Sequence, residues 1–202
     1  MISDADKRRI VEAIHAVEAK TAGEIFCVIA HRCGDYQLVP IVWAAIIALA
    51  APLPGIYLTA WPAGVIYVTQ LIAFIVSALA LSLPVIRLHI VPKRRMWGRA
   101  HAEAMRQFLA QGIHLTEHRT GVLIFASAAE RYAEIVADSA INAKVAPDVW
   151  DGAVAAMIAA IKAGRPADGF VAAVQLCGAE LARHFPPGTL NPNELADKVV
   201  EI

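Results

Sequence analysis

The sequence has no Asp, Glu, Lys, Arg or His between Asp35 and Arg87. An uncharged run of about fifty residues is too long for a core element of a soluble domain and long enough for two membrane spans. An excess of one charge sign is also missing. Lys and Arg number 18 and so do Asp and Glu, and the two signs are intermixed away from the flanks of that run, so no basic stripe offers a surface to nucleic acid. A Gly-rich phosphate cradle, a nucleophile elbow and a dinucleotide-binding fingerprint are all lacking, which leaves nucleotide-dependent chemistry without support. Cysteine is scarce: Cys27, Cys33 and Cys177 stand in no metal or redox spacing and read as reduced, small apolar residues. Met1 to Lys20 lacks the apolar core of a secretory signal, so the uncharged run is expected to direct the chain to the membrane by itself.

What is present is apolar. Of 202 residues, 58% are hydrophobic and mean hydropathy is +0.54, above ordinary globular composition. The excess lies in Tyr36 to Ile86, and removing it leaves roughly 150 residues, enough for one domain with a real core. The expected organisation is a first soluble part over 1–35, a transmembrane helical hairpin over 36–86, a second soluble part over 87–185 and a tail over 186–202.

Ser3 and Asp6 resemble a capping box, and Ile10, Ile14 and Val17 follow at helical spacing, which predicts an amphipathic helix that stops near Lys20 to Gly23. Glu24 to Ala30 is a near-continuous apolar run rich in β-formers, predicting a strand covered on both faces. Beyond the hairpin, Met96 to Gln111 reads as a helix that ends at Gly112, and Val122 to Ser127 as a second apolar strand. The link Ala128 to Glu130 is too short for a parallel crossover, so the strand predicted over Arg131 to Asp138 must run antiparallel to its predecessor. A short helix over Ala140 to Val145, an Ala-rich helix over Asp151 to Ala163, and a long helix capped by Asp168 with Phe170, Val174, Cys177, Leu181 and Phe185 on one face complete the domain. The tail is expected to add a short helix around Glu194 to Lys198. Helices around about three strands, some interleaved and some hairpin-linked, predict an α/β three-layer α/β/α sandwich with a small mixed sheet, interrupted by the two-helix hairpin.

The first span is predicted over Leu38 to Leu58, loosened at Pro52, Pro54 and Gly55, with a re-entrant segment broken at Pro52 as the alternative. The second runs from Val65 to Val85. Tyr57, Trp61 and Tyr67 cluster at the turn between them, where amphipathic rings favour the headgroup layer. Lys20 and Arg32 precede the hairpin, Arg87, Lys93, Arg94, Arg95 and Arg99 follow it, and the turn has no basic residue. By the positive-inside rule the protein is multi-pass in the cell inner membrane, with both termini cytoplasmic. Lys93, Arg94 and Arg95 also suit anionic lipid headgroups, although topology alone accounts for them. Ala44, Ala45, Ala48, Gly64, Ala73, Ser77 and Ala80 would allow close helix packing, and no charge marks a transport path.

Several soluble segments carry a family resemblance by their order and spacing. They are Glu24-Ile25, Thr120-Gly121-Val122-Leu123-Ile124, Glu130-Arg131 before Glu134-Ile135-Val136-Ala137-Asp138, and Ala167-Asp168-Gly169. Together they resemble the TPM domain family over Ser3 to Ala30 and Met96 to Phe185. The resemblance implies an α/β/α sandwich, commonly membrane-tethered. Some members are phosphatases or divalent-metal binders, and one is linked to photosystem II maintenance. Those members usually present the domain outside the cytoplasm behind a signal peptide and one anchor, whereas here a hairpin follows the first strand and leaves only His31 to Asp35 as a loop.

Ligands of open α/β sheets bind beyond the carboxyl ends of strands, which directs attention to the His31 to Asp35 loop and to Asp138. Asp35, Asp138 and Glu24 are candidate oxygen ligands for Ca²⁺ or Mg²⁺; the plainer alternative makes Asp138 a helix cap and Asp35 a solvated loop acid. His114 and His118 lie beyond a helix-ending Gly112 and read as loop histidines. Arg131 is expected to pair with Glu130, Glu134 or Asp138. No catalytic nucleophile is identified. Two functions follow as expectations: a non-catalytic interaction, assembly or maintenance module for a membrane protein complex, partnered by the bilayer and by other hairpins or a homo-oligomer, or else a divalent-metal-dependent phosphatase at the membrane surface.

Overall fold

The computed structural model describes residues 2–58, 61–83, 86, 90–146, 148–188 and 193–202. The chain divides into two compact units, Met1–Cys33 with Trp97–Ile202, and Gly34–Met96. Arg87 and Val85, the expected end of the second span, lie outside the described residues.

In the first unit, helix α1 (Asp4–Glu18) begins with the expected box: Asp6 N–H donates to the Ser3 hydroxyl at 3.1 Å, and Asp6 accepts in return. Strand β1 (Glu24–Ala30) keeps the predicted bounds, and all seven of its residues are buried. Helix α5 (Lys93–Ala110) starts three residues earlier than expected, directly after Pro92, so Lys93, Arg94 and Arg95 form its first turn. A short 3₁₀ turn (Ile113–Leu115) leads into β2 (Gly121–Ser127), which is also buried throughout. Then come β3 (Tyr132–Ala137), α6 (Ser139–Asn142), α7 (Val149–Lys162), α8 (Pro166–His184) and β4 (Val199–Glu201).

The sheet has the order β3-β2-β1-β4, with β1 parallel to both β2 and β4 and β3 antiparallel to β2. Alternation along the strands splits the core into two. Ile25, Cys27 and Ile29 of β1 and Val122, Ile124 and Ala126 of β2 pack against Ile10 and Ile14 of α1, Met157 of α7, and Phe170, Val174 and Leu181 of α8. Phe26, Val28, Leu123 and Phe125 pack on the opposite face against Ala100, Ala104 and Phe108 of α5. Both faces are covered by helices, which is why β1 and β2 read as continuous apolar runs and which makes a three-layer α/β/α sandwich.

Two expectations are corrected. The tail forms no helix at Glu194 to Lys198; it runs extended and supplies the fourth strand, with Ile202 N–H donating to Ile29 O at 2.9 Å and His31 N–H to Ile202 O at 2.7 Å. Val199–Glu201 thus join the sheet beside β1. Asp168 is no cap: Pro166 opens α8 after Arg165, and Asp168 in the first turn pairs with Arg9 at 2.7 Å and Arg165 at 3.3 Å.

The second unit holds α2 (Leu38–Ala50), α3 (Leu53–Leu58) and α4 (Ala63–Ser82). Pro52 lacks the amide that would continue α2, so a break separates α2 from α3. The pair nonetheless counts as one apolar stretch of 21 residues, followed by the 20 residues of α4. At the turn the Trp61 ring lies where a Cβ on Gly55 would stand, 2.2 Å from its Cε3. In chain order the hairpin enters the connection between parallel strands β1 and β2, ahead of α5.

Candidate functional site

The ends of the sheet collect the polar groups of the first unit. At the amino ends of β1 and β2 stand four carboxylates. Glu18 occupies a position on the buried face of α1, one turn past Ile14, and accepts the Ile25 amide proton at 2.8 Å. Burial raises its carboxyl to about 8, and a hydrogen bond with Asp197 adds to the rise. Asp197 also accepts from Asn193 Nδ2 at 2.6 Å and lies 2.5 Å from His15 Nδ1. Glu24, 4% exposed, accepts the Leu195 amide at 3.2 Å, and burial raises its carboxyl as well. Glu194 turns away to accept the Glu117 amide at 2.8 Å. These groups fasten the tail to α1 and β1. Of these groups Glu18, with a carboxyl raised to about 8, titrates in the physiological range.

At the carboxyl ends, Glu130 is 3% exposed. It accepts from the Ser127 hydroxyl through a short hydrogen bond and from the Cys33 amide at 3.1 Å, tying the loop after β1 to the β2–β3 turn. The Cys33 thiol is raised to about 11, chiefly by burial, and stays protonated at neutral pH. A thiol so raised is not an activated nucleophile. Nearby on the other side of β1, Glu201 pairs with Lys7 at 2.7 Å and with His31 at 3.0 Å.

The predicted ligand set is divided between these two ends. The short link after β2 forces β3 to run backwards, so the carboxyl end of β3 lies beside the amino ends of its neighbours, and Asp138 N–H donates to Gly121 O at 2.9 Å. Glu24 is paired with Gly121 as well. Glu24 and Asp138 therefore share one end of the sheet, whereas the loop that leads to Asp35 leaves the other end of β1, about 20 Å along seven strand residues. Ile113 sits over Gly121, the residue between Glu24 and Asp138 in the sheet: its Cγ2 and carbonyl O both lie 2.5 Å from where a Gly121 Cβ would be. Asp138 itself caps α6, accepting from Ser139 N–H at 2.6 Å, and its other oxygen lies 3.7 Å from Arg119. Arg119 takes a left-handed conformation, φ 56°. A guanidinium and an isoleucine thus stand where a bridging cation would need room. Among the described residues no group of three or more His, Cys, Asp or Glu is arranged to hold a metal ion.

Arg131, also left-handed at φ 49°, is not the partner of Glu134 or Asp138. Glu134 instead takes His101 from α5, with both oxygens within 3.0 Å of Nδ1, and the Tyr132 hydroxyl at 3.0 Å. Glu134 and His101 line a groove of about 350 Å³ along the open edge of β3, closed on the opposite face by Trp150, Asp151 and Val154 of α7. The indole N–H of Trp150 is buried there without a hydrogen-bond partner.

Sequence reading set Glu18 off the apolar face of α1, named Glu130 only in the family resemblance and as a partner for Arg131, and passed over Asp197. Glu18 had a signal, a charged residue on the apolar stripe of α1. Glu130 and Asp197 had none, because each gains its role from residues far along the chain.

Comparison with known proteins agrees with this architecture. No curated protein sequence matches the chain. An NMR structure of the BA42 protein from the psychrophilic bacterium Bizionia argentinensis superposes with a TM-score of 0.64 at 18% identity, covering 100% of this chain and 96% of that one. At such identity the likeness concerns the fold. Residues 81–180, which span α5, β2, β3, α6, α7 and most of α8, match the TPM domain family.

Proposed function

We propose that the chain is an integral membrane protein of the cell inner membrane, with both termini cytoplasmic, and that its α/β domain serves as a non-catalytic interaction, assembly or maintenance module for a membrane protein complex. The observation that supports this reading is the bare apolar surface of the hairpin. The stretch Leu38–Leu58 has a mean hydropathy of 2.0, and α4 has 2.2 with none of its 20 residues buried. Surface of that kind needs lipid or protein to cover it. Two spans exceed what a simple anchor requires, and they interrupt the domain from within. Purification from native membranes in mild detergent, followed by mass spectrometry, should recover defined membrane proteins with the chain. Recovery of the chain alone at every detergent strength sinks the proposal.

A second reading, a divalent-metal-dependent phosphatase at the membrane surface, has one observation in its favour: Asp138 Oδ2 is buried without a hydrogen bond. Its nearby Arg119 and Ile113 weigh against it. Phosphate release from a generic ester that requires added Mg²⁺ or Ca²⁺ and collapses in Asp138→Ala would favour this reading. Release unaffected by both would remove it.

A further inference from the structure

We propose that the groove between α2 and α4 is a self-association surface, in which the Gln70 side chain of one copy pairs with Gln70 of a second copy inside the bilayer. This inference rests on the reading of the hairpin as membrane-spanning. Gln70 is the one side-chain amide in the two apolar stretches. It lies seven residues into α4, about 10 Å from the helix start at 1.5 Å per residue. In a hydrocarbon layer about 30 Å thick that places it about 4.5 Å deeper than Tyr67, on the hydrocarbon side of the interfacial rings. Gln70 is half-buried and has no hydrogen-bond partner among the described residues. It lines a groove of about 370 Å³ with Ala45 and Ala48 of α2 and with Tyr67 and Phe74 of α4. Tyr67 and Phe74 stand three residues before it and four after it, on the same helical face.

An unpaired amide in lipid is costly, acyl chains cannot bond it, and no hydrogen bond joins it to the Tyr67 hydroxyl on the groove wall. The occupant that answers it best is the same amide. A carboxamide carries both a donor N–H and an acceptor carbonyl, so two of them close a reciprocal pair, each N–H donating to the other carbonyl. Two copies inserted with the same topology are related by a two-fold axis along the membrane normal. Every residue then meets its counterpart at its own depth, and no register has to be found. The small side chains of Ala45 and Ala48 leave the floor of the groove low enough for a second α4 to approach.

The experiment uses the full chain in native membranes, in a Cys33→Ala background that removes the half-buried thiol. Tyr67→Cys is expected to give a disulfide-linked dimer under mild oxidation, and adding Gln70→Leu is expected to reduce its yield about tenfold. Val68→Cys, on the opposite face of α4, serves as the control. Equal yields from Tyr67→Cys and Val68→Cys, indifference to Gln70→Leu, or a covalent product with a different protein would each overturn the proposal. Alkaline carbonate extraction separates the two levels of the argument. A chain that carbonate releases removes the membrane reading and this one with it. A retained chain whose crosslinking ignores Gln70→Leu removes self-association alone.

Discussion

Glu18, in the last turn of α1, accepts the amide proton of Ile25 in β1 at 2.8 Å while its own carboxyl is raised to about 8. Because the folded value lies above the unfolded value of about 4.5, the folded state binds the extra proton between those limits. Stability from this group is present in full below about pH 4.5 and is lost as pH rises through about 8. Glu18→Gln keeps the acceptor for Ile25 and a donor for Asp197 without the charge. The variant should therefore be more stable than the parent at pH 9 and should show a flatter decline between pH 6 and 9 in denaturant titrations. An unchanged slope would mean that Glu18 is ionised in the folded protein at neutral pH.

Asp197 receives His15, Asn193 and Glu18 at one carboxylate. His15 and Asn193 are exposed and turn to water, but Glu18 is buried, so replacing Asp197 with alanine leaves that donor unanswered, at a cost of about 1–3 kcal/mol. The loss should be local first. Amide exchange of Val199 to Ile202 should accelerate in Asp197→Ala before that of Val122 to Phe125, since β4 is a three-residue edge strand and β2 is buried on both faces. Simultaneous acceleration of both strands would show that the tail does not open separately.

Gly121 accommodates the Ile113 carbonyl as well as its side chain. A Cβ at 2.5 Å from a backbone oxygen cannot be relieved by a rotamer change, so Gly121→Ala should destabilise the domain by about 1–3 kcal/mol. Gly152 offers the comparison, since a Cβ there meets nothing within 4 Å. Gly152→Ala, in the interior of α7, should stabilise by about 0.5–1 kcal/mol. Thermal melts of the two variants should move in opposite directions.

Lys93, Arg94 and Arg95 form the first turn of α5, where the helix dipole is positive and no acidic residue compensates. Such a turn is better tolerated next to anions. In the protein reconstituted into bilayers, replacing all three with glutamine should weaken the preference for anionic over neutral lipid neighbours by about 1 kcal/mol per residue, with a correspondingly reduced dependence on salt. Equal occupancy by neutral and anionic lipid around the parent would remove the lipid contact from the account.

The soluble elements were legible wherever a local pattern decided them. The bounds of β1 follow from six consecutive apolar residues, Ile25 to Ala30, behind Glu24, and the antiparallel β3 from a link too short to cross over. β4 was not legible, because Val199 and Val200 alone carry no period. They form a strand because β1 offers an open row of backbone groups. The end of the sheet at which Asp138 stands was missed for a related reason. Asp138 was grouped with the loop after β1 as a strand-end residue, but an antiparallel strand ends where its neighbours begin. The direction of β3 could be read from the sequence, and the consequence for Asp138 followed from it. The pairing of Glu18 with a residue near the end of the chain could not.

The place of the hairpin in the chain also sets the order in which the protein can be made. β1 leaves the ribosome before the hairpin, whereas both of its sheet neighbours, β2 and β4, are translated after it. At about 5–20 residues per second, the first strand waits on the order of ten seconds for β2, while the two apolar stretches are being synthesised. Seven residues that end buried must be shielded throughout that interval. β1 is therefore an orphan strand for as long as the hairpin takes to make, and its second neighbour, β4, is translated only after α8.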